Sequence, residues 1–158
     1  MTEPAFTPRP YRHEDFEFVY HLGKSGLGPY VERLFGPWVD AERRAQLAQR
    51  VLIHAYEVIA DAGADGGGNS GAALGFLSCE TLPTHVSLHQ IFITPAQQRR
   101  GLGGAVVRQV QRRAQMLNLP LRLRVFCINP AHELYRRLGF TVVEQTPERF
   151  FMEWRPEQ

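Results

Sequence analysis

Apolar positions along this 158-residue chain change period several times, and each change marks an element. A short strand is expected around FTPRPYR. Next comes a helix over HEDFEFVYHLGK, where Phe16, Val19, Tyr20 and Leu22 form a stripe. LGPYVERLFGPWVDAERRAQLAQRVL reads as further helix, broken at Gly36–Pro37 and restarted with Asp40 as N-cap. AYEVIADA and AALGFLSCETL read as strands, joined by GADGGGNSG as a mobile, dispensable hairpin connection. SLHQIFITP is a strand closed by Pro95. Helical spacing then returns at Gly103, Val107, Val110, Ala114 and Leu117, with Asn118 and Pro120 ending the run. In LRLRVFCI, Leu121, Leu123, Val125 and Cys127 alternate with Arg122, Arg124, Phe126 and Ile128, giving a strand with one apolar face. NPAHELYRRLGF is a short bounded helix: Asn129 as N-cap, Pro130 at the first helical position, Ala131, Leu134 and Leu138 on one face with Tyr135 beside it, and Gly139 just past the end. TVVEQ and RFFMEW close the chain as an antiparallel hairpin. The order of strands and helices predicts an α/β fold.

Composition narrows the class. With 44% hydrophobic and 22% charged residues the chain reads as one globular domain, 1–158. A formal charge of +2 is too small to argue for nucleic acid or membrane. Arg108, Arg112 and Arg113 would form a basic stripe, which reads as a solvated helix face rather than a nucleic-acid site. Cys79 and Cys127 both fall in predicted strands, no apolar run reaches transmembrane length, and the start lacks an apolar signal core. Those features predict a reduced, cytoplasmic protein with buried cysteines and no membrane partner.

The candidate chemistry begins at QQRRGLGG, Gln97 to Gly104, where a strand hands over to a helix. The first turn of a helix presents unpaired backbone N–H groups and the positive end of its dipole. Glycine lets a phosphate approach that backbone and permits positive φ, while Arg99 and Arg100 add charge. Two better-known phosphate loops are excluded. A Walker A loop ends in Gly-Lys-Ser/Thr, and the single lysine, Lys24, is far away; 101-Gly-Leu-Gly-Gly-104 also lacks the dinucleotide spacing.

Together, two segments resemble the GNAT superfamily of N-acetyltransferases. Gln98-Arg99-Arg100-Gly101-Leu102-Gly103 matches its Gln/Arg-x-x-Gly-x-Gly/Ala signature after a strand. Asn129, Tyr135, Leu138, Gly139 and Phe140 match its Asn-led helix ending in Leu-Gly-Phe. The resemblance implies a mixed, mostly antiparallel central sheet flanked by helices, and an acetyl-CoA-dependent N-acetyltransferase that uses no metal. It implies that the loop amides of Arg99, Arg100, Gly101, Leu102, Gly103 and Gly104, with Gln98 at their head, hold the diphosphate. It further implies that Ile91, Phe92 and Ile93 pair with the pantetheine arm through their backbone. Asn129 would hold that arm, and Arg136 or Arg137 an outer phosphate.

Tyr135 follows Asn129 by six positions, one fewer than in many members, and is the candidate to protonate the leaving thiolate; the alternative is a packed aromatic. The proton acceptor for the attacking amine is His89, with Glu80 as the rival; His132 is expected to be peripheral. The acceptor amine, of unidentified type, is expected between the early helices and the strand ends, among Tyr20, Tyr30, Phe35 and Trp38, with Glu32, Asp40 and Glu42 as possible attractors of a cation. A homodimer is common among similar proteins. The competing reading is a silent module that senses acyl-CoA.

Overall fold

The computed structural model describes residues 4–62 and 71–158. The glycine-rich connection expected to be a mobile hairpin lies, apart from Gly71, outside the described residues. The elements run β1 (Phe6–Pro10), α1 (Phe16–Phe35), α2 (Asp40–Ile53), β2 (Tyr56–Asp61), β3 (Ala73–Thr81), β4 (Val86–Ile93), α3 (Leu102–Leu117), β5 (Leu121–Phe126), α4 (Ala131–Arg137), β6 (Thr141–Gln145) and β7 (Arg149–Trp154). The strands form a seven-stranded sheet in the order β1-β2-β3-β4-β5-β7-β6. β4 and β5 run parallel, whereas the β1–β2, β2–β3, β5–β7 and β6–β7 pairs are antiparallel. The architecture is the mixed α/β sheet with helices that the sequence implies. Two compact units divide the chain: one holds Met1–Ser78 and Gln90–Gly103, the other Cys79–His89 and Gly104–Gln158.

In the first unit Val19, Leu22, Tyr56 and Phe76 form a buried cluster, with Tyr11, Phe18, Leu47, Val51 and Phe92 against it. β1 carries Pro8 and Pro10, which an edge strand tolerates because it pairs only with β2. Asp15 pins the chain after β1. Its carboxylate takes both guanidinium nitrogens of Arg9, at 2.8 and 2.9 Å, and the Arg12 N–H at 2.8 Å. The Arg9 hydrogen bond holds this carboxyl below its ordinary pKa against the opposing cost of burial.

α1 runs unbroken through Pro29 for 20 residues. Proline deletes one helical hydrogen bond, but the burial of Val19, Tyr20, Leu22 and Val31 on both sides of it offsets the loss. The helix stops at Gly36, whose φ of +105° suits glycine. The expected restart with Asp40 as N-cap is corrected. Val39 holds the cap position, and Asp40, the first residue of α2, instead accepts hydrogen bonds from the Tyr20 hydroxyl and from Lys24 Nζ at 3.0 and 3.2 Å. A carboxylate with a tertiary donor in reach is drawn away from its own helix end.

In the second unit β5 buries Leu121, Leu123 and Val125 and exposes Arg122 and Arg124. Phe126 is buried too, so the alternation ends there, and Cys127 falls just past the strand rather than in it. The inner face of α3 is Ala105, Val106, Val107, Val110, Gln111 and Ala114. Leu117, expected on that stripe, is 48% exposed. Gln111 donates at 2.8 Å to the Leu138 carbonyl, one of the acceptors left over where α4 ends. Among the described residues no helix is long and apolar enough to cross a membrane.

Candidate active site

The strand-to-helix crossing is built from several bends. A short 3-10 turn, Pro95–Gln97, follows β4, and Gln98 is extended. Arg99 then takes φ +66° and Gly101 φ +81°, and α3 begins at Leu102. Glycine adopts such an angle freely, whereas for an arginine it costs about 1–2 kcal/mol. Local bonds hold the strained turn: Gln97 N–H to Thr94 O at 2.9 Å, Gln98 N–H to Pro95 O at 3.3 Å, and the Gln98 side-chain amide to Ile93 O at 3.0 Å. Leu102 is 2% exposed and anchors the start of α3, so its side chain belongs to the core and only its N–H is offered outward. Arg99, Arg100 and Gly101 are exposed. The result is an accessible helix N-terminus with two arginines beside it, the physical description of an anion site.

On α3, Arg108 lies against Gly104. A Cβ placed on Gly104 would lie 3.4 Å from its guanidinium.

β4 leads into the loop. Its ladder with β5 covers Val86–Leu88 against Leu121–Leu123, while β4 itself continues to Ile93. Phe92 turns its ring into the cluster of the first unit, 5.5 Å from that of Phe76, and a Cβ on Gly26 of α1 would overlap it. Hence Phe92, like Leu102, has only its backbone to offer a ligand. β4 also lies close to β3: a Cβ on Gly75 would collide with the Phe92 carbonyl oxygen.

In the second unit, His89 and Glu80, the two rival bases, form one pair, with His89 Nε2 at 3.0 Å from Glu80 Oε2. An ionised carboxylate only accepts hydrogen bonds, so in this contact Nε2 carries the hydrogen. Nδ1 is then the nitrogen able to take up a further proton. The pair is a histidine oriented by a carboxylate, an arrangement suited to general-base work.

α4 begins one residue later than expected, with Pro130 in the cap position. Asn129 still serves the helix, because its Oδ1 accepts from the Ala131 N–H at 2.9 Å. What it can offer a ligand is therefore its amide NH2. Tyr135 is the buried residue of α4, at 9% exposure, while Ala131, Leu134 and Leu138 are only half-buried. Its ring meets Phe140 edge-on at 5.8 Å. Desolvation pushes its phenol up to about 12. Arg136 lies over the Phe150 ring at 5.5 Å, and the His132 ring packs edge-on against Phe150 at 5.2 Å.

A cavity of about 70 Å3 opens in the first unit. A single water needs roughly 10–15 Å3. Tyr20 and Trp38, two of the residues expected around an acceptor, line it, and so do Lys24, Arg43, Gln46, Arg50, Tyr56, Phe76 and Gln90. Tyr30 and Phe35 are not among its lining residues, and Phe35 is 52% exposed. Glu32, Asp40 and Glu42, expected to attract a cation, do not line it either. Trp38 Nε1 donates to the Tyr20 hydroxyl at 3.0 Å, and the Tyr56 hydroxyl donates to Gln90 Oε1 at 3.2 Å. Burial raises the Tyr56 phenol, opposed by nearby Arg50. Sequence reading missed the two arginines, although Arg43, Leu47 and Arg50 share one face of α2 by spacing.

The family model described as the acetyltransferase (GNAT) domain matches residues 58–142. No curated protein is significantly similar in sequence. Among solved structures the fold is similar to the PaiA N-acetyltransferase from Thermoplasma acidophilum in complex with coenzyme A, at 14% identity and TM-score 0.70, covering 96% of this chain and 99% of that one. It is similar to Ard1 from Thermoplasma volcanium at 18% identity and TM-score 0.68, covering 98% and 99%. The ribosomal-protein-S18-alanine N-acetyltransferase from Escherichia coli gives 18% identity and TM-score 0.66, covering 98% and 96%. At such identities the likeness is one of fold.

Proposed function

Since the chain belongs to the GNAT acetyltransferase family, we propose that its residues 1–158 act as one domain that moves the acetyl group of acetyl-CoA to a primary amine by direct attack. The observation that carries this reading is the loop, in which Arg99 and Gly101 both take positive φ immediately before α3. A diphosphate is received there by the loop's N–H groups and the helix dipole, with the charge of Arg99 and Arg100 beside it. The pantetheine amides pair with backbone groups of Ile91, Phe92 and Ile93, a role supported by the end of the β4–β5 ladder at Leu88. The Asn129 amide NH2 steadies the same arm.

Chemically, a neutral amine nitrogen bonds to the thioester carbonyl carbon and the C–S bond breaks. The amine's surplus proton goes to His89, and the sulfur leaves as thiolate. Glu80 orients His89 and stabilises its imidazolium. Tyr135 faces the thiolate as donor. With its phenol near 12 and an ordinary thiol near about 8.5, complete proton transfer is uphill, so the hydroxyl acts first by hydrogen bonding.

Release of free thiol from acetyl-CoA, followed against a panel of amines, tests the reading. Amine-dependent release with one acetylated product per thiol is expected. Tight acetyl-CoA binding without release toward any amine would replace the enzyme with a sensing module.

A further inference from the structure

α2 carries charge on its inner face. Its positions facing the first unit's cavity include Arg43, Gln46 and Arg50, while Leu52 and Ile53 stand 84% and 71% exposed. The same inner face carries Leu47 and Val51 against the core cluster, so Arg43 and Arg50 are charges set within an apolar stripe. Half-buried cations are retained where something answers their charge.

The other cations of this region have that answer within the chain. Lys24 pairs with Asp40 at 3.0 Å, and Arg44 with Glu17 at 2.7 and 3.1 Å. Arg43 lies over the Trp38 ring at 4.7 Å and Arg50 lies beside the Tyr56 hydroxyl. Among the described residues neither of these two has a carboxylate partner, and no acidic side chain lines the cavity. Val19, Leu27, Leu47 and Phe76 give the cavity an apolar wall, and the cavity reaches Gln90, the residue before the proposed pantetheine strand.

We infer that the acceptor is a small amine bearing a carboxylate, an amino acid with an apolar body, whose carboxylate is received by Arg50 with Arg43 beside it. The inference rests on the proposed acetyl transfer and names its substrate class. A guanidinium presents two parallel N–H donors to a carboxylate, a geometry that ammonium lacks. Tyr56 and Gln90 then occupy the stretch between that carboxylate and the strand edge, and the apolar wall covers the body of the acceptor. The cationic lining also disfavours a polyamine, because a second ammonium would enter a site of its own sign.

The test uses matched pairs: L-leucine, L-phenylalanine and 4-aminobutyrate against L-leucinamide, L-phenylalaninamide and 4-aminobutanamide. Thiol release from acetyl-CoA and the shift of the melting temperature are both measured. At least one acid should exceed its carboxamide by about tenfold or more in kcat/KM and should raise the melting temperature where the carboxamide does not. Arg50→Gln should bring the ratio within about threefold, Arg43→Gln should lower it, and Arg50→Lys should retain part of it. Carboxamides that serve as well as acids, or an acid preference that survives both glutamine variants, would overturn the inference while leaving acetyl transfer standing. If no amine releases thiol, acetyl transfer fails on these acceptors, and the thermal shift still decides: an acid-specific, Arg50-dependent shift upholds the anion site, and its absence overturns it.

Discussion

Gly75→Ala puts the proposed pantetheine strand under a defined load. The new Cβ would fall well inside 3.0 Å of the Phe92 carbonyl oxygen and 3.1 Å from the Ile93 Cα, and both are backbone atoms that cannot rotate away. An ordinary carbon–oxygen contact of about 3.3 Å requires β3 and β4 to part locally by about 1 Å. The neighbouring bond from Thr94 N–H to the Leu74 carbonyl, now 2.9 Å, would not survive that displacement. Overpacking costs about 1–3 kcal/mol and the lost buried hydrogen bond about 1 kcal/mol. Reduced freedom of the unfolded chain returns about 0.4–1 kcal/mol. The net expectation centres on a loss of about 2 kcal/mol, a large share of the ~5–15 kcal/mol that holds a domain together. Urea unfolding should show a midpoint lower by about 1 M or more with an unchanged slope. If Ile91–Ile93 receive the donor, acetyl-CoA affinity in the folded variant should also fall at least about tenfold, since a 1 Å misplacement is enough to spoil a positioned contact. Stability within about 0.5 kcal/mol of the native chain would refute the packing argument. Lost stability with unchanged acetyl-CoA affinity would refute the assignment of the strand.

Gly103→Asp sets a negative charge on the first turn of α3, so calorimetry should report acetyl-CoA binding weaker by about tenfold or more, and unchanged binding in a folded variant removes the phosphate site. Tyr135→Phe should lower kcat by about tenfold or more with little change in KM for acetyl-CoA, and full kcat where chemistry limits the rate would leave the leaving thiolate to water. His89→Gln should reduce kcat/KM by roughly 100-fold at neutral pH and change the acidic limb of its profile; Glu80→Gln should act more weakly because it disturbs only the orientation, and an unchanged His89→Gln profile moves the base elsewhere. Asp15 has a folded pKa below its unfolded value, so its stabilisation is present above about pH 3.9 and is lost as pH falls through the folded pKa. Asp15→Asn should therefore cost roughly 1–3 kcal/mol at neutral pH and flatten the acid limb of stability, and parallel acid profiles for the two proteins would contradict the Arg9 assignment.

Much of the molecule was legible along the chain because local rules are enough for it. Strand alternation placed β5, the proline-bearing edge strand β1 could be read from FTPRP, and the glycine positions announced both the end of α1 and the bend before α3. The resemblance to a known family, carried by two short motifs, singled out Asn129, Tyr135 and the loop from Gln98 to Gly104 as candidates. Errors arose where a side chain chose a distant partner over a near one. Asp40 left its expected cap for Tyr20 and Lys24. Only the tertiary structure could decide that His89 and Glu80 are one hydrogen-bonded pair rather than alternatives, that Tyr135 is buried enough to hold its proton, and that α2 turns Arg43 and Arg50 toward a cavity. Periodicity reports which residues share a face. Desolvation and partnership depend on what packs against that face, and residues far apart in sequence supply it.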